Sequence, residues 1–100
     1  MVNLLEETLG FLAKNKLTKD DVCWIGDGNG YCDWDYFAAN ANFKYDGGFG
    51  AEFINRDLVV VGKDWWLERH EYDGSEWWEY KKLPEIPNKS QRNNVKIKAD

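Results

Sequence analysis

The chain reads as an α+β domain: a small antiparallel sheet of three to four strands, packed against an N-terminal amphipathic helix and a second short helix. Three observations lead there. An apolar repeat with helical spacing opens the chain, and Leu58-Val59-Val60-Val61 is an aliphatic, mostly β-branched run. Between residues 64 and 83, two stretches rich in Trp, Tyr and alternating charge flank Asp73-Gly74, the dipeptide best suited to a type I′ hairpin turn.

Each element has a local reason. Over residues 2–15, Val2, Leu5, Leu9 and Leu12 share one helical stripe, widened by Leu4 and Phe11. Glu6 and Glu7 lie early and Lys14 and Lys16 late, as the helix dipole favours, and Asn15 is a C-terminal cap. Thr18-Lys19-Asp20-Asp21 has the pattern of a capped single turn. Residues 22–25 suit a short strand, which Gly26-Asp27-Gly28-Asn29-Gly30 ends. Asp33 is an N-cap for a helix over residues 34–42, with Asp35 in its first turn. Residues 49–55 suit either a helical turn or a strand, with the turn preferred. Residues 58–61 read as a buried strand and 64–83 as the hairpin, so the order is α–β–α–β–β–β, a C-terminal meander. Pro84 and Pro87 stop the last strand. This predicts one α+β domain over residues 1–83 and a flexible, basic, polar tail over 84–100.

A two-residue loop at Asp73-Gly74 makes paired hairpin residues sum to 147, and alternation then divides the side chains between two faces. Trp65, Leu67, Trp78 and Tyr80 form the core face, with Arg69 placed to lie over Trp78 as a cation–π pair. The other face carries Trp66, Glu68, His70, Tyr72, Trp77, Glu79 and Lys81. Two tryptophans, the chain's one histidine and two opposed glutamates are an odd choice for a solvated surface. Trp66, Glu68, His70, Tyr72, Trp77 and Glu79 are therefore candidate partner-binding residues, since Trp and Tyr dominate interface hot spots. The structural alternatives are packing beneath the tail or the 43–57 segment, or a self-contained aromatic ladder.

Charge is uneven along the chain. Residues 1–87 hold 17 acidic and 9 basic side chains, a net of −8, while 88–100 hold Lys89, Arg92, Lys96 and Lys98 against Asp100, a net of +3. Asp27, Asp33, Asp35, Asp46 and Glu52 are candidate members of an acidic surface. Such a body repels nucleic acid and anionic membranes and attracts a basic protein surface. No apolar run approaches the roughly 20 residues of a membrane span, and Glu6 and Glu7 interrupt any secretory leader. The expected location is the cytoplasm, where Cys23 and Cys32 stay reduced.

Catalytic and metal chemistries fit poorly. Counted from Asp27, a calcium loop would place Tyr31, Cys32 and Ala38 where an oxygen ligand, Gly and Glu belong. Cys23 and Cys32 lack zinc spacing, and His70 has no second histidine. Glu68 and Glu79 beside His70 could serve hydrolysis only inside a cleft that tunes them, and a flat sheet provides none. A Cys–His nucleophile has no local signature. Gly47-Gly48-Phe49-Gly50 lacks the Lys-Ser/Thr of a phosphate loop. No enzyme activity and no cofactor are expected.

The runs Tyr45-Asp46-Gly47-Gly48-Phe49-Gly50-Ala51, Asp57-Leu58-Val59-Val60-Val61-Gly62, Trp66-Leu67-Glu68-Arg69 and Glu71-Tyr72-Asp73-Gly74-Ser75-Glu76-Trp77-Trp78-Glu79-Tyr80 resemble a family of short proteins carried by phages and integrative elements of gut Firmicutes. The resemblance covers residues 2–83. It implies no activity, only a context in which small acidic proteins occupy host proteins, including defence proteins that bind nucleic acid. The expected function is a non-catalytic module binding a host- or element-encoded protein with a basic surface, with no direct contact to nucleic acid or membrane. The alternative is a small-molecule or carbohydrate binder using Trp66 and Trp77 as a platform.

Overall fold

A computed structural model describes residues 1–48 and 52–99. The chain order is β1 (Val2–Asn3), α1 (Leu4–Lys14), a 3-10 turn (Lys19–Asp21), β2 (Trp24–Gly26), β3 (Tyr31–Cys32), α2 (Trp34–Ala41), β4 (Lys44–Tyr45), β5 (Val59–Val61), β6 (Trp65–Tyr72) and β7 (Ser75–Lys82). A 3-10 turn at Lys89–Gln91 interrupts the tail. Strands β3-β2-β5-β6-β7 form a five-stranded sheet, antiparallel throughout, and β1 pairs with β4 in a separate two-stranded ribbon. The α+β class and the Trp-rich hairpin packed against the N-terminal helix follow the sequence expectation.

The hairpin register is the one the turn dictates. Asp73 and Gly74 both take positive φ, 52° and 85°, as a type I′ turn requires. Trp65 pairs with Lys82, His70 with Trp77 and Tyr72 with Ser75, so every pair sums to 147. The core face follows the expectation with Trp65, Leu67 and Trp78 buried and Tyr80 partly buried against them, joined by Ile25 and Val60 from β2 and β5. Leu4 and Leu12 of α1 and Phe37 and Ala41 of α2 close the same core, so both helices cover this one face. Burial of side chains the size of Leu67 or Trp78 stabilises by about 1.5–3 kcal/mol each.

Several expectations need correction. The first helix begins at Leu4, because Val2 and Asn3 pair with Tyr45 and Lys44, and Asn3 caps the helix by accepting from Glu6 N. Its buried stripe is Leu4, Thr8 and Leu12, while Val2 and Leu9 are exposed. Thr8 displaces the expected stripe because its hydroxyl is satisfied: it donates to Leu4 O (2.7 Å) and accepts from Trp78 Nε1 (2.9 Å). The strand expected at 22–25 is shifted to Trp24–Gly26, since Val22 still closes the preceding turn by donating to Lys19 O. The sheet gains a fifth strand, Tyr31–Cys32, because Asp27 folds the Gly26–Gly30 segment into a hairpin turn instead of ending the sheet. The helical turn preferred for 49–55 is absent over 52–55, where Glu76 claims two backbone donors; residues 49–51 lie outside the described residues. The capped turn at Thr18 and the Asp33-capped second helix form as read.

Candidate functional site

Because paired residues share a face, the register defines a second sheet surface opposite the helices. Trp24, Val61, Trp66 and Lys81 form one row across β2, β5, β6 and β7. Tyr31, Gly26, Val59, Glu68 and Glu79 form the next, then His70 with Trp77, and Tyr72 with Ser75. Antiparallel sheets tolerate one open face, but it is usually polar. This one carries three tryptophans, two tyrosines and two valines.

The tail does not shield it: residues 84–99 are all exposed. Nor does the 52–58 segment, which is anchored on the other side through Glu76. Of the structural alternatives, the self-contained ladder survives in part, because the polar side chains here satisfy one another. Trp66 Nε1 donates to Glu68 Oε1 (2.7 Å), and His70 Nε2 lies 2.7 Å from Glu68 Oε2. Trp77 Nε1 donates to Glu79 Oε2 (3.2 Å), and His70 Nδ1 stands 3.5 Å from the same oxygen. Lys81 Nζ is 3.4 Å from Glu79 Oε1. The opposed glutamates are thus bridged through the imidazole, and only its doubly protonated form donates to both. The indole N–H of Trp66, then His70, hold the Glu68 carboxyl below its ordinary value.

Five of the six candidate partner-binding residues therefore form one connected cluster: Trp66, Glu68, His70, Trp77 and Glu79. Tyr72 shares the face but stands at its edge, 77% exposed beside the turn. The indole N–H groups of Trp66 and Trp77 are held by Glu68 and Glu79. Most of the acidic candidates also have local partners. Asp27 Oδ1 accepts from Asn29 N and Gly30 N and its Oδ2 from Asn55 Nδ2, contacts that lower its pKa, the Asn29 amide most. Asp33 caps α2, Asp46 accepts from Gly48 N, and Glu52 pairs with Arg56, while Asp35 lies in the first turn of α2.

Sequence reasoning missed a second polar cluster, on the buried face. Glu76 accepts from Phe53 N (2.6 Å), Ile54 N (3.0 Å) and Arg69 Nη2 (3.1 Å), with both ionic side chains 1% exposed. Arg69 Nη2 also donates to the Tyr45 hydroxyl (3.0 Å), and Nη1 lies 3.4 Å from Glu7. The guanidinium sits 4.7 Å over the Trp78 ring, the cation–π pair expected from the register. Arg69 Nε is buried without a partner among the described residues. Burial, and then the hydrogen bond to Glu7, push the Tyr45 phenol up to about 12. The register alone put Glu71 and Glu76 on the same side as Arg69, and that was the available signal. The contributions of Glu7 and Tyr45 come from distant elements and leave no local mark.

Each nitrogen of His70 faces a different carboxylate, and among the described residues no three His, Cys, Asp or Glu side chains are set to hold one ion. Cys32 lies on the helix-covered face and His70 on the other, so they cannot form a nucleophile–base pair. Burial, then Asp33, push the Cys32 thiol up, away from the reactive thiolate. The cavities of about 610 Å³ beside Trp24 and the β2–β3 turn, about 600 Å³ along residues 86–92, and about 280 Å³ between α2 and the 53–58 segment do not include Glu68, His70 or Glu79. Among the described residues, no helix is long and apolar enough to cross a membrane. Compared with known proteins, the chain stands on this geometry alone: no family model, no curated protein and no solved structure matches it.

Proposed function

We propose that the protein is a non-catalytic binding module that docks a partner protein through the open face of its sheet. The observation that carries this reading is the uncovered row of Trp24, Val61 and Trp66, continued by Trp77, on the side the helices leave bare. Aromatic flanks held rigid by hydrogen bonds lose little entropy when they are buried a second time, which is what an interface anchor needs. Because Glu68 and Glu79 are engaged with His70, Lys81 and the indoles, the face itself attracts through apolar area. The net −8 of residues 1–87 supplies a surrounding field that favours a partner with a basic rim.

The sharper form of the reading is occupation of a host protein that binds nucleic acid, in keeping with the resemblance to proteins of mobile elements. Immobilised chain should capture one basic protein from host lysate. Trp66→Ala with Trp77→Ala should lose it, and raising salt from about 0.1 to 0.5 M should weaken it only a few-fold. Recovery unchanged by the tryptophan substitutions, at equal folding by circular dichroism, would sink the assignment to this face. If the captured protein binds nucleic acid, competition between that ligand and this chain tests the sharper form.

A further inference from the structure

The tail and the open face are complementary surfaces within one chain. Residues 84–99 bury nothing: Ile86, Val95 and Ile97 are 95%, 70% and 86% exposed. They raise the radius of gyration to 16.6 Å, where a compact chain of this length has about 13 Å. Val95-Lys96-Ile97-Lys98 alternates apolar with basic, so an extended segment presents aliphatic groups on one side and ammonium groups on the other. The tail's charge is opposite to that of the body. It leaves β7 at Leu83, whose amide donates to Asp64 O (2.7 Å), next to the row holding Lys81, Trp66, Val61 and Trp24.

We infer that residues 88–98 fold back in cis across the open sheet face, Val95 and Ile97 against the aromatic row and Lys89 and Arg92 toward Glu68, Glu79 and the acidic body. In the structure the tail stands exposed to solvent. The span from β7 to β2 is roughly 14 Å at three strand spacings, and residues 84–98 reach roughly 50 Å when extended. A tether of this length holds the tail at an effective concentration on the order of millimolar, so weak contacts suffice and a second copy competes poorly. The device rests on the reading of this face as a docking surface: the strap must be displaced before a partner is seated, and it shields the aromatic face from non-specific association until then.

Zero-length carbodiimide coupling of the full chain at low salt, followed by mass spectrometry, tests the strap without any partner. Lys81 and Glu79 provide an internal control link. Lys89 should couple to Glu68 or Glu79, and small-angle scattering should give a radius of gyration well below 16.6 Å. Both signals should fall several-fold at about 0.5 M salt and in a Val95→Ser, Ile97→Ser variant, which alters no core contact. Absence of tail links while the control link forms overturns the inference, as does a radius independent of salt. Links that grow with protein concentration overturn it in favour of exchange between copies. Because no partner takes part, a negative result here leaves the docking face standing, and failed capture leaves the strap standing.

Discussion

The two faces of the β6–β7 hairpin are built from the same residue types and do different work. Each has tryptophans, glutamates and a cationic or imidazole side chain. On the helix-covered side, Arg69 and Glu76 are almost wholly withdrawn from water and tie together β6, β7, α1 and the 53–54 backbone. On the open side, Glu68, His70 and Glu79 remain about one-third exposed and bond only to neighbours on their own two strands. Burial converts a polar cluster into a structural joint, because removing a member strands a charge in a low-dielectric interior. Exposure leaves a similar cluster at the surface, where each ion pair is worth about 0–1 kcal/mol.

Substitutions that strike one face at a time should expose this difference, and Arg69→Ala should have the largest effect. It leaves Glu76 and Glu7 without their cation and uncovers one side of Trp78, so denaturant unfolding should show a loss of about 3–5 kcal/mol. Thr8→Val comes next: the buried Trp78 indole N–H loses its acceptor, for about 1–3 kcal/mol by the same measurement. An equal loss from Glu79→Gln would break the comparison, since that open-face change should stay within about 0.5 kcal/mol.

Titration offers a finer distinction. The folded chain holds the Tyr45 proton to about pH 12, whereas an exposed tyrosine releases it near 10. Its contribution is complete below pH 10 and is lost as pH climbs toward 12, so Tyr45→Phe should flatten the alkaline fall of the denaturation midpoint. Glu68 works in the opposite sense. Its folded pKa lies below the ordinary 4.5, so its contribution is complete above 4.5 and is lost as pH falls through the folded value. Glu68→Gln should remove a small part of the acid sensitivity, the least of these effects.

The hairpin was legible because its information is local: Asp73-Gly74 fixes the turn, the turn fixes the register, and alternation fixes the faces. Caps were legible for the same reason, since Thr18 and Asp33 act within three residues of themselves. What stayed hidden depends on partners far along the chain. Thr8 is a core residue only because Trp78 reaches it, and Val2–Asn3 is a strand only because Lys44–Tyr45 lies beside it. The register divides the hairpin side chains between two faces as alternation predicts, but the mutual satisfaction of Glu68, His70 and Glu79 depends on side-chain rotamers that leave no mark in the sequence. Opposed glutamates looked like a cost awaiting a partner's cation, and the indole N–H groups of Trp66 and Trp77 together with Lys81 meet part of that demand.

The buried Arg69–Glu76 pair has a consequence for how the chain discriminates between near-equivalent folds. Both strands carry tryptophans in adjacent pairs, Trp65-Trp66 and Trp77-Trp78, so sliding β7 by one position would still offer an indole to the core. Hydrophobic content alone leaves that choice almost degenerate. The polar partners do not: sliding β7 toward a sum of 148 turns Lys81 inward opposite Leu67 and withdraws Glu76 from the Phe53 and Ile54 amides. A pair that adds little net stability over an apolar replacement thus sets a wide gap between the native alignment and its closest competitor.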